Sequence, residues 1–211
     1  MLERLRSVLQ VRHRQMENLE DFRPAAVMIP LVYENEQWNV LFEVRAQGLQ
    51  WQPGDVCFPG GRVDGTDQSP ADTAVRELIE ELGISPEDVE LVGPLDYIVS
   101  PIGVMVYPYV GIIRKPELIN INQQEVAEVF TVPLEYLLNE APVIGHMEAG
   151  TRPSPDFPLH LLASDYKQDW KKRFKYALHF YSYGDKVIWG LTGRILYGFM
   201  QLYNEAQRTT T

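Results

Sequence analysis

At 211 residues the chain suits one domain with extensions. Its 45% hydrophobic and 23% charged residues predict a packed core and exclude general disorder. The formal net charge of −10 argues against nonspecific binding to nucleic acid or to an acidic membrane surface. The chain starts with "MLERLRSVLQVRHRQ", where Leu2, Leu5, Val8, Leu9 and Met16 recur at helical spacing. This predicts an amphipathic helical extension over residues 1–22, docked on the domain or on a second subunit. The segment lacks the continuous apolar core of a signal peptide, and Glu3 and Glu17 fit a mitochondrial presequence poorly. Residues 23–211 are expected to form a single domain.

Two strand-like runs, 25–33 and 38–45, flank the turn "ENEQ" and predict a hairpin. Residues 46–61 read as a loop rich in Gly and Pro, with the short apolar strand "VCF" inside it. A helix is expected from Pro70 to Leu82, with Ser69 as N-cap, Pro70 at the first helical position and Gly83 as the left-handed stop. "VELVGPLDYIVS" and "VMVYPYVGIIR" read as strands, and "EVAEVFTVPLEYLL" as a strand entering a short helix at Pro133. Residues 139–170 are the least regular part. The C-terminal part reads as a strand, a turn at Gly184–Asp185 and a final helix to about Asn204. Strands and helices mix without strict βαβ alternation, which favours an α/β or α+β sandwich around a mixed sheet.

Cys57 is the only cysteine, so no intrachain disulfide forms, and a reducing, cytoplasmic setting is expected. Cys57 reads as a small packed residue. No apolar run is long enough to span a membrane. His13, His146, His160 and His179 are too dispersed to predict a zinc site.

The predicted helix over 70–82 carries the strongest functional signal. Val75, Leu78, Ile79 and Leu82 form one apolar face, and Glu77, Glu80 and Glu81 fall opposite. The like-charged pair Glu77/Glu81 costs about 0.2–0.5 kcal/mol on its own. Arg76 is the close cation on the helix, and Gly60–Gly61 lead up to it. Two readings fit: a solvated polar face, or oxygen donors for a hard divalent cation.

These residues resemble the Nudix box, G-x5-E-x7-R-E-U-x-E-E-x-G-U, where U is a bulky aliphatic. Arg76-Glu77-Leu78-Ile79-Glu80-Glu81-Leu82-Gly83-Ile84 matches the helical half in full, and Gly61 matches the opening glycine. Asp67 stands where glutamate is usual, and eight residues rather than seven separate it from Arg76. The segment 41–61 is similar to the coenzyme A pyrophosphatase branch through Leu41, Arg45, Ala46, Gly54 and Phe58-Pro59-Gly60-Gly61. "TAVRE" and "IWGLTGRIL" extend that similarity to about residue 200. Glu43 replaces the usual Thr, Gln50 a second Arg, and Gln52 a frequent His.

The resemblance implies an α/β/α sandwich and a Mg²⁺- or Mn²⁺-dependent hydrolase of nucleoside diphosphate derivatives, with coenzyme A or acyl-coenzyme A as the favoured small-molecule substrate. ADP-ribose or a dinucleotide remains an alternative, as does a catalytically silent nucleotide-binding module. By resemblance, Glu77, Glu80, Glu81 and the Gly61 carbonyl hold the metal, and Arg76 orients a carboxylate. Glu125 is the first candidate for general base and Glu128 the second. Arg45, Phe58, Gly60 and Gly61 are the expected substrate contacts, with anchoring of its loop the alternative for Arg45 and a core place the alternative for Phe58. Tyr97, Tyr107 and Trp189 are further candidates for stacking on a base, against a plain core role. A homodimer built on the terminal segments is a further expectation.

Overall fold

The computed structural model describes residues 2–12, 16–162, 166 and 168–209. The hairpin is present: β1 (Arg23–Glu34) turns directly into β2 (Gln37–Arg45). Asn35 and Glu36 both have positive φ, 53° and 63°, the two-residue turn whose twist suits antiparallel strands. The two strands pair only from Leu31↔Val40 to Glu34↔Gln37 and then part. The gap between them is filled by the next segment. β3 (Val56–Cys57) pairs with the far half of β2, and β4 (Gly60–Arg62) with the first half of β1. The Met28 N–H donates to Pro59 O at 2.9 Å, so the chain over 56–62 is stitched into both strands.

Along the other edge of β1 runs β7 (Val104–Ile113), parallel to it. β5 (Val89–Pro94) and β6 (Ile98–Ser100) pair with β7, and β8 (Val126–Pro133) pairs with the outer edge of β2. These eight strands form one mixed sheet, as the interrupted alternation of elements predicts.

Side-chain alternation splits the core into two layers. Ala26, Met28, Val32 and Leu41 pack against α2 (Pro70–Leu82) through Ala74, Leu78 and Leu82. Ile29, Val40 and Phe42 face the other way, where α3 (Leu134–Asn139) and α4 (Gly190–Thr209) contribute Leu137, Leu196 and Phe199. Leu78 and Leu82 have no solvent exposure, and burying each contributes about 1.5–3 kcal/mol. The architecture is therefore the expected α/β/α sandwich.

Three expectations need correction. Residues 139–170 are not irregular throughout: β9 (Val143–Thr151) pairs with β10 (Lys171–Tyr183), which turns into β11 (Lys186–Ile188), giving a second, three-stranded sheet. β9 carries Gly145, His146, Glu148 and Gly150, so its side chains hide a strand that backbone pairing secures. The final helix runs on to Thr209. α1 (Leu2–Val11) is helical, but it carries no buried residue: Leu2, Leu5, Val8 and Leu9 are exposed rather than docked on the described domain. Among the described residues no helix is long and apolar enough to cross a membrane.

Candidate functional site

α2 begins and ends where the sequence predicts. The Ser69 hydroxyl accepts from the Asp72 N–H at 3.3 Å and donates to the Asp72 carboxylate at 2.9 Å. Gly83, at φ 61°, donates its N–H to Ile79 O, and a Cβ there would lie 2.1 Å from Asn120 O. The last carbonyls of the helix are taken up by the loop that follows β7: Asn122 N–H donates to Glu81 O and Asn120 N–H to Leu82 O, both at 2.9 Å. That loop leads into Glu125, whose own carbonyl accepts the Ala46 N–H just after β2. Helix capping thus draws three distant segments, the ends of β2 and α2 and the 120–125 loop, to one place.

The helix does not separate cleanly into an apolar face and an acidic one. Ala74, Leu78 and Leu82 are its deepest apolar residues, while Val75 and Ile79 are only half-buried. Glu81 lies at the edge of the buried face and is 4% exposed, Glu77 is half-buried, and Glu80 is exposed. The reason is a specific partner: Gly60 N–H donates to Glu81 Oε2 at 2.9 Å. Gly61 is equally constrained, because a Cβ there would sit 2.3 Å from Glu77 Oε1.

Burial, reinforced by the charge of Glu43, pushes the Glu81 carboxyl up to about 9. Glu77 is raised by burial too, although Arg76 opposes the shift. Glu43, on β2, is 1% exposed and raised to about 7, again chiefly by burial. Glu125 adds its charge to Glu43, Glu77 and Glu81. Burial first, and neighbouring carboxylates second, thus raise the proton affinity of Glu43, Glu77 and Glu81. Glu128, the alternative to Glu125, points elsewhere and pairs with Lys186 at 2.9 Å.

Arg76 is the local organiser. Its Nε and one Nη each donate to Asp67 at 3.1 Å, and its other Nη reaches Glu77 at 2.9 Å and Glu80 at 3.1 Å. Thr73 Oγ1 donates to the same Asp67 at 2.7 Å. These bonds hold the Asp67 carboxyl far below its usual range and the Arg76 guanidinium above its own. The shorter acid and the extra residue after it still give a bidentate clamp.

The sequence model of the NUDIX domain matches residues 22–149, more than half of the chain, and includes every acid described above. The chain belongs to the Nudix family. It is 37% identical over 135 residues to a peroxisomal coenzyme A diphosphatase, NUDT7, of Mus musculus, covering 64% of this chain and 56% of that protein. It is 33% identical over 175 residues to an uncharacterized Nudix hydrolase, NudL, of Pectobacterium atrosepticum, covering 83% of this chain and 80% of that one. Nudix hydrolase 3 of Caenorhabditis elegans is 31% identical over 208 residues, covering 96% of this chain and 83% of that one. The match thus spans little more than half the length of the mouse relative. A MutT/nudix family protein of Enterococcus faecalis shares the fold at a TM-score of 0.51 and 20% identity, over 97% of this chain and 70% of that one.

Within this Nudix frame the donor chemistry fits a hard divalent cation. The clustered acids offer carboxylate oxygens and no imidazole, and one oxygen, Glu43 Oε2, is buried with no hydrogen-bond partner among the described residues. The side chains are not gathered into a finished cage: among the described residues, no three Asp, Glu, His or Cys groups converge closely enough to hold a metal. Glu77 and Glu80 lean on Arg76, and Glu81 on Gly60, so binding a cation requires them to turn.

The remaining candidates separate by position. Arg45 donates from Nε to Trp51 O at 3.2 Å and lines a cleft of about 950 Å³ that runs between residues 97–103, β10 and the start of α4. Tyr97 and Trp189 line the same cleft and are exposed. Tyr107 is half-buried, its hydroxyl on Met105. Phe58 is corrected: at 3% exposed and stacked on Phe42 at 4.9 Å, it belongs to the core and has no surface to offer a substrate. Gly60 meets the site through its N–H, which Glu81 occupies. His179 is buried and stacked on Tyr197, His146 and His160 are exposed, and His13 lies outside the described residues. Sequence reasoning missed Glu43 as a site residue. Its signal was an acid in the apolar run "NVLFEV", noted only as a departure from Thr.

Proposed function

We propose that this chain is a divalent-cation-dependent hydrolase of the pyrophosphate bond in nucleoside diphosphate derivatives, with coenzyme A or acyl-coenzyme A as substrate. The observation that carries the reading is the buried Glu81 carboxylate on the Gly60 N–H, with Glu77 against Gly61 and the charge of Glu125 acting on both acids. A chain of net charge −10 has little reason to bury such acids unless a cation and a phosphate complete them. Support for the substrate comes from the similarity over residues 41–61 and from the 37% identity to a protein named a coenzyme A diphosphatase.

Glu77, Glu80, Glu81 and the Gly61 carbonyl hold the cation. When bound, Mg²⁺ or Mn²⁺ supplies charge neutralisation to the pyrophosphate and lowers the pKa of water at the site. Arg76, gripped by Asp67, sets the direction of the α2 carboxylates. Glu125 accepts the proton of the attacking water. The water oxygen bonds to one phosphorus, the bridging P–O bond breaks, and the second phosphate leaves with that bond's electron pair. Arg45 steadies a phosphate at the mouth of the cleft. At about 950 Å³, the cleft has room for the organic arm of such a molecule.

The test is incubation of the full chain with Mg²⁺ and coenzyme A, followed by chromatography for 3′,5′-ADP and 4′-phosphopantetheine. Turnover of both products supports the reading. No turnover of coenzyme A, together with turnover of ADP-ribose or a dinucleotide, refutes the substrate and leaves the reaction class. Binding of these compounds with no hydrolysis of any refutes the enzymatic reading.

A further inference from the structure

We propose that Glu43 is an additional oxygen ligand of the divalent cation held by the α2 carboxylates, an inference that rests on reading those carboxylates as a cation site. Leu41 packs with Leu78 and Leu82 of α2, whereas Phe42 packs into the opposite layer against Phe58. Alternation then sends Glu43 toward the α2 side, at the point where it faces Cys57 across the β2–β3 ladder.

The two oxygens of Glu43 have different surroundings. Oε1 accepts from the Cys57 thiol at 3.1 Å, which fixes the tilt of the carboxylate. Oε2 is buried with no donor among the described residues and no solvent. Buried polar atoms are nearly always partnered, so an orphan oxygen marks the place of a ligand. Its surroundings say which kind. Arg45 is the strongest charge acting on Glu43, with Glu125 and Glu77 acting against it, and Glu43 is the strongest charge acting on Glu81. A fixed oxygen among anions is a place for a cation, and an oxygen-only set suits a hard one. Arg45 lies two residues along, but its Nε is engaged with Trp51 O at 3.2 Å.

Cys57 takes the part of an outer partner that orients a ligand. Where the similar signature carries Thr, this chain has a longer acid and a thiol placed to hold it, so the extra ligand is a feature of this sequence.

The experiment is calorimetric titration of metal-stripped full chain with Mn²⁺, alongside thermal melts without metal. Glu43→Gln is expected to raise the Mn²⁺ Kd by about 10- to 100-fold. Its metal-free melting temperature should stay level or rise, since a buried charge site is removed. Cys57→Ala should weaken binding less, and Cys57→Ser, which retains a donor, less still. Unchanged Mn²⁺ affinity in Glu43→Gln overturns the proposal and makes Glu43 a buried structural acid. If that variant does not fold, Glu43→Thr carries the same test and the same expectation. A wild type that binds no Mn²⁺ overturns the reading of the α2 site itself; a wild type that binds while Glu43→Gln binds equally well overturns only the role of Glu43.

Discussion

Gly60 and Gly61 are neighbours in the chain, yet replacing each by alanine should break the protein in a different way. A Cβ on Gly60 would lie 2.4 Å from Ala26 O and 2.7 Å from Val27 Cα. Both are backbone atoms of β1, held by the pairs Ala25↔Arg62, Ala26↔Gly61 and Val27↔Gly60, so nothing can swing aside. Gly60→Ala should cost about 3 kcal/mol, the upper part of the range for overpacking. For a chain of this size, that lowers the melting temperature by roughly 6–12 °C. The three atoms nearest a Cβ on Gly61 all belong to the end of the Glu77 side chain, at 2.3–2.7 Å. Glu77 can turn away at a rotamer cost of about 1 kcal/mol. Gly61→Ala should therefore melt within a few degrees of wild type, while the displaced carboxylate raises the Mn²⁺ Kd by about tenfold or more. Melts in chelator and Mn²⁺ titrations measure both variants. A Gly61→Ala variant that melts as early as Gly60→Ala, or that binds Mn²⁺ as the wild type does, would refute this division of roles.

Three further outcomes are expected. Burial raises Glu81 from 4.5 to about 9, so the folded chain keeps a proton that the unfolded chain releases. The contribution of Glu81 to metal-free stability should then be full below pH 4.5 and be lost as pH rises toward about 9, and that of Glu43 as it rises toward about 7, whereas Asp67, lowered by Arg76, works in the opposite sense at acid pH. Urea midpoints in chelator should show this decline, and Glu81→Gln should flatten it; parallel profiles would exclude the assignment. Arg76→Lys and Asp67→Asn each break the bidentate clamp, so each should lower kcat/KM by about tenfold or more, and the double variant should be far from additive. Glu125→Gln should lower kcat by about 100-fold or more with little change in KM, whereas Glu128→Gln, bound to Lys186, should stay near wild type. Equal losses at both positions would remove Glu125 from its role.

Much of this could be read from residues alone. α2 announced itself because Ser69, Pro70 and Gly83 act locally, and local rules survive folding. The hairpin and mixed sheet followed from alternation and spacing. Glu43 was not legible as a site residue: its meaning depends on Cys57 and Glu81, which lie 14 and 38 positions away. Phe58 misled for the same reason, since a match to a motif does not say which layer a side chain enters. The burial of Glu81 escaped a face drawn through Val75, Leu78, Ile79 and Leu82, because the sheet below buries Ala74 with Leu78 and Leu82 and leaves Val75 and Ile79 half-buried. β9 was hidden because pairing with β10, not side-chain pattern, defines it.

The stitching of residues 56–62 into both β1 and β2 also bears on the order in which the chain folds. Glu43, Glu81 and Glu125 come from three segments, and their mutual repulsion is felt only once those segments have closed. Contacts this distant in sequence form late, after the local hairpin and helix. A cation that relieves the repulsion then acts on the finished protein more than on the barrier to reaching it. Stopped-flow measurements with and without Mn²⁺ should show slower unfolding and nearly constant refolding. The site would then act as a clasp that is fastened last and slows the sheet from reopening.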